Sequence, residues 1–348
     1  MTPKNSFLKP GKLPPELMKR LLNHFKHPPN DANVKITPTF GQDTGIFQLD
    51  RSYVVVKTNP VTFATDDIGY YAVILNANDI ALSGAIPKWF SITILLPEKK
   101  SDEKLCEDIF QSIAEECKKL KIAVVAGHTE VTYGIDRPIV VGTMMGKIPI
   151  DRNIISTFGG KPNDDLLLIN PIGIEGTSII ARERSEYLLK NHISAEQINE
   201  GKKFLYNPGI SIIDEAKLLT ENFKVHAIHG PTEGGISMGL VELARNSQCG
   251  LEIKKKEILI DQLTMKLSEL FQINPLGLIS SGCLIVAANP EETVQIMEFF
   301  QQRKIPISLI GKLSEKETEY IMIEENGIKR KLKYSHIDEI TKIFMDSK

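Results

Sequence analysis

The stretch from Ile68 to Leu82 constrains the fold most, because its apolar helical run of Val73, Ile74, Leu75, Ile80, Ala81 and Leu82 carries Asn78 and Asp79. A carboxylate in such surroundings costs several kcal/mol unless it is paired or bound to metal. The helix therefore requires a partner for Asp79, whether a salt bridge, a capping contact or a cation.

Around this helix the pattern alternates between strands and helices. Pro14 to Phe25 reads as an amphipathic helix with Leu17, Leu21, Leu22 and Phe25 on one stripe. Gly45 to Thr58 reads as two strands broken at Asp50 and Arg51, and Trp89 to Leu96 as a strand. Glu103 to Leu120 follows as an amphipathic helix, Ile122 to Ala126 as a short buried strand ending at Gly127, and Ile139 to Ile148 as another strand. The Gly-, Asn-, Pro- and Asp-rich stretch from Asp151 to Asp165 is the natural linker, which divides the chain into 1–155 and 156–348. The second half restarts with the strand Leu166 to Ile169 and a helix from Thr177 to Leu189, and it ends in further alternating signals. The expected class is α/β or α+β, neither a bundle nor a sandwich.

Length agrees, since 348 residues fit two domains of roughly 150 to 190 residues better than one core. A formal net charge of -2 gives no electrostatic reason to expect nucleic acid as a partner. Runs such as Cys283 to Ala288 fall far short of a membrane span. The start of the chain, with Thr2, Pro3, Lys4 and Asn5, lacks the pattern of a secretory leader, so the cytoplasm is the expected compartment. Cys106, Cys117, Cys249 and Cys283 show no zinc or redox spacing and read as reduced thiols.

Three polar clusters in the first half suit a shared site: Gly41 to Gly45 with Asp43, Asn76 to Asp79, and Gly127 to Glu130 with His128 and Thr129. Carboxylates supply hard oxygen ligands for magnesium, and glycine lets backbone approach phosphate. Each cluster also has a plainer reading. Asp43 fits turn chemistry, His128 a hydrogen-bonded histidine at a strand end, and Glu130 an exposed acid. In the second half, Gly173 to Thr177 leads into a helix and can present backbone donors to an anion. The loop from His229 to Gly235 carries His229 and Glu233, side chains usable for proton transfer. Both glycine runs equally suit close packing.

These loops, in this order, resemble the family that includes aminoimidazole ribonucleotide synthetase, selenophosphate synthetase, thiamine-monophosphate kinase and the hydrogenase maturation protein HypE, with the HypE branch nearest. The resemblance rests on Asp67-Ile68-Gly69, on Asn78 through Pro87, on Ile174 to Glu183, on His229 to Gly235, and on Asn274-Pro275-Leu276 leading to Ser281-Gly282. It implies a homodimer whose N-terminal domains pair into a β-barrel, an N-terminal domain for ATP and magnesium, and a C-terminal α/β domain. It further implies that Asp43, Thr58, Asn59, Asn78, Asp79, Gly127, Thr129, Gly176 and Thr177 line the nucleotide, and that Asp43, Asp79 and Glu130 hold Mg2+. The implied chemistry is ATP-dependent phosphorylation, activation or dehydration of a small-molecule or protein acceptor, with His128, His229 and Glu233 as catalytic groups.

The chain also departs from the family pattern. Thr58-Asn59-Pro60 has an amide where the family has Thr-Asp, Gly127-His128-Thr129 replaces Gly-Asp-Thr, and His229-Gly230-Pro231 replaces His-Asp-Pro. Ser281-Gly282 stands for Glu-Gly, and no cysteine follows Cys283, whereas HypE ends in one. A nucleotide-binding homologue without turnover is the alternative these departures raise.

Overall fold

The computed structural model describes residues 12–25, 31–62 and 66–345. The stretches read above for a leader (Thr2 to Asn5) and for a terminal cysteine (Asp346 to Lys348) lie outside the described residues.

Helix α1 (Pro15–Leu22) opens on a proline, tolerated there because the first helical N–H has no partner to lose. Six strands then build one sheet: β1 (Val34–Ile36), β2 (Gly45–Leu49), β3 (Ser52–Val61), β4 (Ile86–Pro97), β5 (Ala123–Thr132) and β6 (Ile139–Pro149). Their spatial order is β1-β2-β3-β6-β4-β5, and only β4 and β5 run parallel. Asp50, at a φ of 52°, makes the tight turn between β2 and β3.

Helix α2 (Ile68–Leu82) crosses one face of this sheet, with α3 (Glu103–Lys119) beside it. Two glycines of β6 allow the close approach. A Cβ on Gly146 would lie 2.3 Å from Ile80 Cγ2, and one on Gly142 would lie 2.5 Å from Asn76 Nδ2. The opposite side of α2 is covered too, because Ile179, Ile180, Leu205 and Ile210 of the second half share its core. Enclosure by both halves explains why the helix is apolar all round.

The second half forms a seven-stranded sheet of β7 (Asp165–Ile169), β8 (Ala227–His229), β9 (Gly250–Lys254), β10 (Leu284–Ala288), β11 (Ile307–Ser314), β12 (Tyr320–Ile323) and β13 (Lys329–Lys331). Its order is β13-β12-β9-β11-β7-β10-β8. The helices are α4 (Ile174–Glu183), α5 (Ser185–Lys190), α6 (Ala195–Lys203), α7 (Ile213–Asn222), α8 (Gly235–Asn246), α9 (Gln262–Leu270), α10 (Pro290–Gln302) and α11 (Ile340–Met345). Leu166 and Leu168 pack with Ile236, Leu240 and Leu243 of α8, while Leu167 and Ile169 pack with Leu219 of α7 and Phe300 of α10. Burial on both faces is why β7 reads as an unbroken apolar run.

Two expectations need correction. The helix read from Thr177 to Leu189 is two helices, because Arg184 leaves helical geometry at φ -124°, ψ 21°. The strand read as short and buried near Ile122 is β5, which is exposed along nearly its whole length and runs through Gly127 to Thr132. It is the sheet edge, paired among the described residues with β4 alone. Between β5 and α3 lies a groove of about 460 Å³ lined by Ile92, Ile94, Phe110, Ile113, Val124 and His128.

Candidate functional site

Where the two halves meet, buried and half-buried side chains form a row of alternating charge. At one end is Asp79 on α2, whose Oδ2 lies 3.0 Å from Lys57 Nζ on β3. The same ammonium lies 3.5 Å from Asp43 Oδ1. Asp43 Oδ2 is 3.0 Å from His229 Nδ1, and His229 Nε2 is 2.8 Å from Glu242 Oε2 on α8. Lys12 closes the row, 3.8 Å from Glu242 Oε1 and 3.7 Å from Glu233 Oε2.

Local structure puts each member in place. Gly41 adopts φ +74°, a conformation that favours glycine, and a Cβ there would stand 3.0 Å from Glu242 Cβ. The Gly41 turn therefore packs directly on α8 and delivers Asp43 to His229. Thr157 of the connecting segment fastens this turn, donating from Oγ1 to Gly41 O at 3.1 Å and accepting from Asn246 Nδ2 at 2.8 Å. Lys57 shares strand parity with Val55, whose side chain belongs to the core under α2, and so projects toward Asp79.

Burial would by itself depress the basicity of His229, but Asp43 and Glu242 outweigh it and push the imidazole up to about 9. Nε2 then donates to Glu242 while Nδ1 faces Asp43 as an ion pair, and at neutral pH the ring holds its proton. Burial would likewise favour neutral Asp43 and neutral Lys57. Lys57 and His229 nevertheless hold the Asp43 carboxyl far below its usual range, and Asp79 with Asp43 holds the Lys57 ammonium well above its own. Burial raises Asp79, against the pull of Lys57. Glu242 is lowered, because Lys12 and His229 overcome its burial.

Beside the row is a narrow cleft of about 40 Å³ lined by Val61, Thr62, Tyr71, Glu175, Glu233 and Ile279. Burial pushes the Glu175 carboxyl up to about 8, opposed by hydrogen bonding from Ser281, whose N–H lies 3.3 Å from Glu175 Oε2. Arg182 pairs with Asp67 at 2.8 Å on the same side of α2.

The residues singled out from sequence divide into three groups. Asp43, Asp79 and His229 meet in the row, and Glu233 stands at its rim. Gly127, His128, Thr129 and Glu130 lie apart on β5, where His128 Nε2 is 3.2 Å from Glu130 Oε2. Within one chain β5 is three strand spacings from β3, about 14 Å. The remaining residues make packing or backbone contacts. Thr58 donates to Gly142 O at 3.1 Å, and the Asn59 carbonyl accepts from Asn76 Nδ2 at 3.4 Å. Asn78 bonds the backbone of Ile210 and Ile212. Thr177 is buried against Thr264, with their hydroxyls 2.7 Å apart, and a Cβ on Gly176 would meet Leu278 Cγ at 2.4 Å. Lys57, Glu242 and Lys12 were not singled out. The available signals were a lysine closing the valine run of β3 and a glutamate inside the apolar stretch Met238 to Ala244.

A magnesium site needs several oxygens converging on one point. Asp43 and Asp79 converge on an ammonium instead, Glu130 is elsewhere, and no group of three or more His, Cys, Asp or Glu among the described residues is arranged to hold a metal. This arrangement does not fit a magnesium ion. No helix among the described residues is long and apolar enough to cross a membrane.

Residues 41–148 match the family described as AIR synthase related protein, N-terminal domain, and residues 161–324 match AIR synthase related protein, C-terminal domain. A Methanocaldococcus jannaschii protein named for hydrogenase expression/formation is 27% identical over 271 residues, covering 77% of this chain and 75% of that one. Carbamoyl dehydratase HypE of Rhodobacter capsulatus is 26% identical over 299 residues, covering 84% of this chain and 83% of its own. Among solved structures, hydrogenase maturation protein HypE in complex with ATP superposes with a TM-score of 0.69 at 20% identity, covering 92% of this chain and 93% of that one.

Proposed function

Because the chain belongs to the AIR synthase related family, matched in both its domains, we propose that it is a HypE-like protein that binds ATP where its two halves meet. ATP then serves to phosphorylate or otherwise activate an oxygen of a small-molecule or protein acceptor. The observation that carries this reading is the Asp79–Lys57–Asp43–His229–Glu242 row, which sets a half-buried Lys57 ammonium and a buried His229 imidazolium among three carboxylates beside an interdomain cleft. Fixed cations in a partly dry site attract phosphate oxygens far more strongly than the same groups in water. The solved HypE with ATP supports the choice of nucleotide.

In the same reading the chain works as a homodimer of 1–155 domains, each joined to a 156–348 domain. Support comes from the first sheet, whose face away from α2 is only half-buried, and from its edge strand β5, where Val124, Val125 and Val131 are exposed. Pairing of two copies there would bring His128 and Glu130 of one copy toward the other. No magnesium ion held jointly by Asp43, Asp79 and Glu130 enters this proposal, since one chain does not assemble that donor set.

Calorimetric titration with ATP, ADP and GTP, with and without magnesium, tests the reading, and mass spectrometry of the mixture shows whether phosphate moves. Binding of ATP is expected. Absence of both heat and a melting shift with every nucleotide would refute it.

A second reading, a nucleotide-binding homologue without turnover, is favoured by His229, whose ring nitrogens both face carboxylates and leave no nitrogen to accept a proton. It predicts that ATP raises the melting temperature while phosphate release stays at background.

A further inference from the structure

Two carboxylates brought to one buried point require a positive charge between them. In this protein the charge is already part of the chain. Lys57 Nζ stands 3.0 Å from Asp79 Oδ2 and 3.5 Å from Asp43 Oδ1, ordinary distances for an ammonium and longer than the oxygen distances of about 2.0 to 2.1 Å that magnesium demands. The Asp79 side chain is 6% exposed and that of Lys57 18%, so neither can leave the other without exposing an unpaired charge to the interior. A divalent ion bound by both carboxylates would fall within a few ångströms of the ammonium, and like charges at that separation exclude one another.

The geometry points to Lys57 as the resident cation of the Asp43–Asp79 pair, a tethered replacement for a divalent ion that makes the pair metal-independent. An ammonium has three N–H donors; the Asp43 carboxylate takes one of them at 3.5 Å, and Asp79 Oδ2 stands in ion-pair contact at 3.0 Å. A donor left by the pair suits a phosphoryl oxygen, so a nucleotide bound here would meet Lys57 directly and would need no metal at these aspartates. Only this last step rests on the ATP reading. The exclusion of metal stands without it.

The test titrates Mn2+ alone into the full chain and follows free ion by electron paramagnetic resonance. Wild type is expected to show no Mn2+ binding that Asp79→Asn removes. Lys57→Met, which leaves both carboxylates without their cation, is expected to gain a site at least about tenfold tighter than anything Asp79 supplies in wild type, and Mn2+ should raise its melting temperature. Wild-type Mn2+ binding that disappears in Asp79→Asn would overturn the inference, and so would a folded Lys57→Met chain that takes up no Mn2+. If Lys57→Met does not fold, the comparison of wild type with Asp79→Asn decides alone. Titration with ATP in excess chelator separates the two ideas. Equal affinity with chelator and with magnesium, within about threefold, supports the direct Lys57 contact, and strict magnesium dependence overturns it. Failure to bind ATP under either condition removes the nucleotide reading and leaves the Mn2+ result to judge Lys57.

Discussion

Asn78 holds Ile210 to α2 through a hydrogen bond of 2.7 Å from its Nδ2 to the Ile210 carbonyl, and its Oδ1 accepts from Ile212 N at 3.0 Å. One buried amide in the first half therefore satisfies two backbone groups of the second.

Asn78→Ala strands that carbonyl and that N–H in the interior, a cost of roughly 2 to 4 kcal/mol by the usual penalty for buried unpaired groups. The expected result is a lower unfolding midpoint in urea. Asn78→Asp should be as damaging, because it replaces the donor to Ile210 with a repulsive oxygen. A chain that tolerates either change without loss would show that the clamp contributes nothing.

His229 sets a pH limit. Its folded value of about 9 lies above the ordinary 6.5, so its contribution to stability is complete below about 6.5 and is lost as pH rises through about 9. Melting temperatures measured between pH 6 and 10 should fall over that window. Asp43→Asn removes one of the two carboxylates that hold the proton and should move the fall to lower pH. An imidazole titration by nuclear magnetic resonance with a midpoint below 7 in wild type would contradict this.

Glu175 acts in a lower window. Its folded value of about 8 exceeds the ordinary 4.5, so the native state keeps a proton that the unfolded chain gives up, and stability declines as pH rises from about 4.5 to about 8. Glu175→Gln keeps an acceptor for Ser281 N without the charge. The variant should match wild type near pH 5 and melt a few degrees higher near pH 8.5, as followed by calorimetry. Equal melting at both values would remove the assignment.

Gly146 permits the contact between β6 and α2. Its Cβ in Gly146→Ala would lie 2.3 Å from Ile80 Cγ2 and 2.8 Å from Ile86 O, the second of which is backbone and cannot swing aside. Overpacking of this kind costs about 1 to 3 kcal/mol. The double change Gly146→Ala with Ile80→Leu should recover part of the loss, since leucine keeps the volume and has no methyl at the Cγ2 position of the clash, and chemical denaturation reads both.

Much of the fold was legible because the apolar periods are local. The Ile68 to Leu82 helix, the β2–β3 break at Asp50 and the doubly buried strand at Leu166 follow from patterns spanning a few residues. The character of β5 was not, because Val124 and Ala126 look like core until the sheet order makes their strand an edge. The site was legible in part. Asp79 required a partner, and of the readings open from sequence the ion pair is the one observed, yet its partner Lys57 lies on a separate element, strand β3, with nothing local to single it out. Gly176 and Thr177 pack against Leu278 and Thr264, contacts that the sequence did not foretell, since a glycine before a helix looks the same whether it faces an anion or a leucine. His229 and Glu242 share a helix-strand unit, but Asp43 joins them only through the folded Gly41 turn.

The charged row has a mechanical consequence. Its members divide by origin, with α2, β3 and the Gly41 turn supplying one end and β8 and α8 the other, so a hinge opening between the sheets would have to part Asp43 from His229. While the imidazole carries its proton that separation parts opposite charges, so the ion pair resists opening between the lobes. Once the proton is gone the bolt is drawn, and alkaline solution becomes the condition in which breathing between the lobes should first be detected.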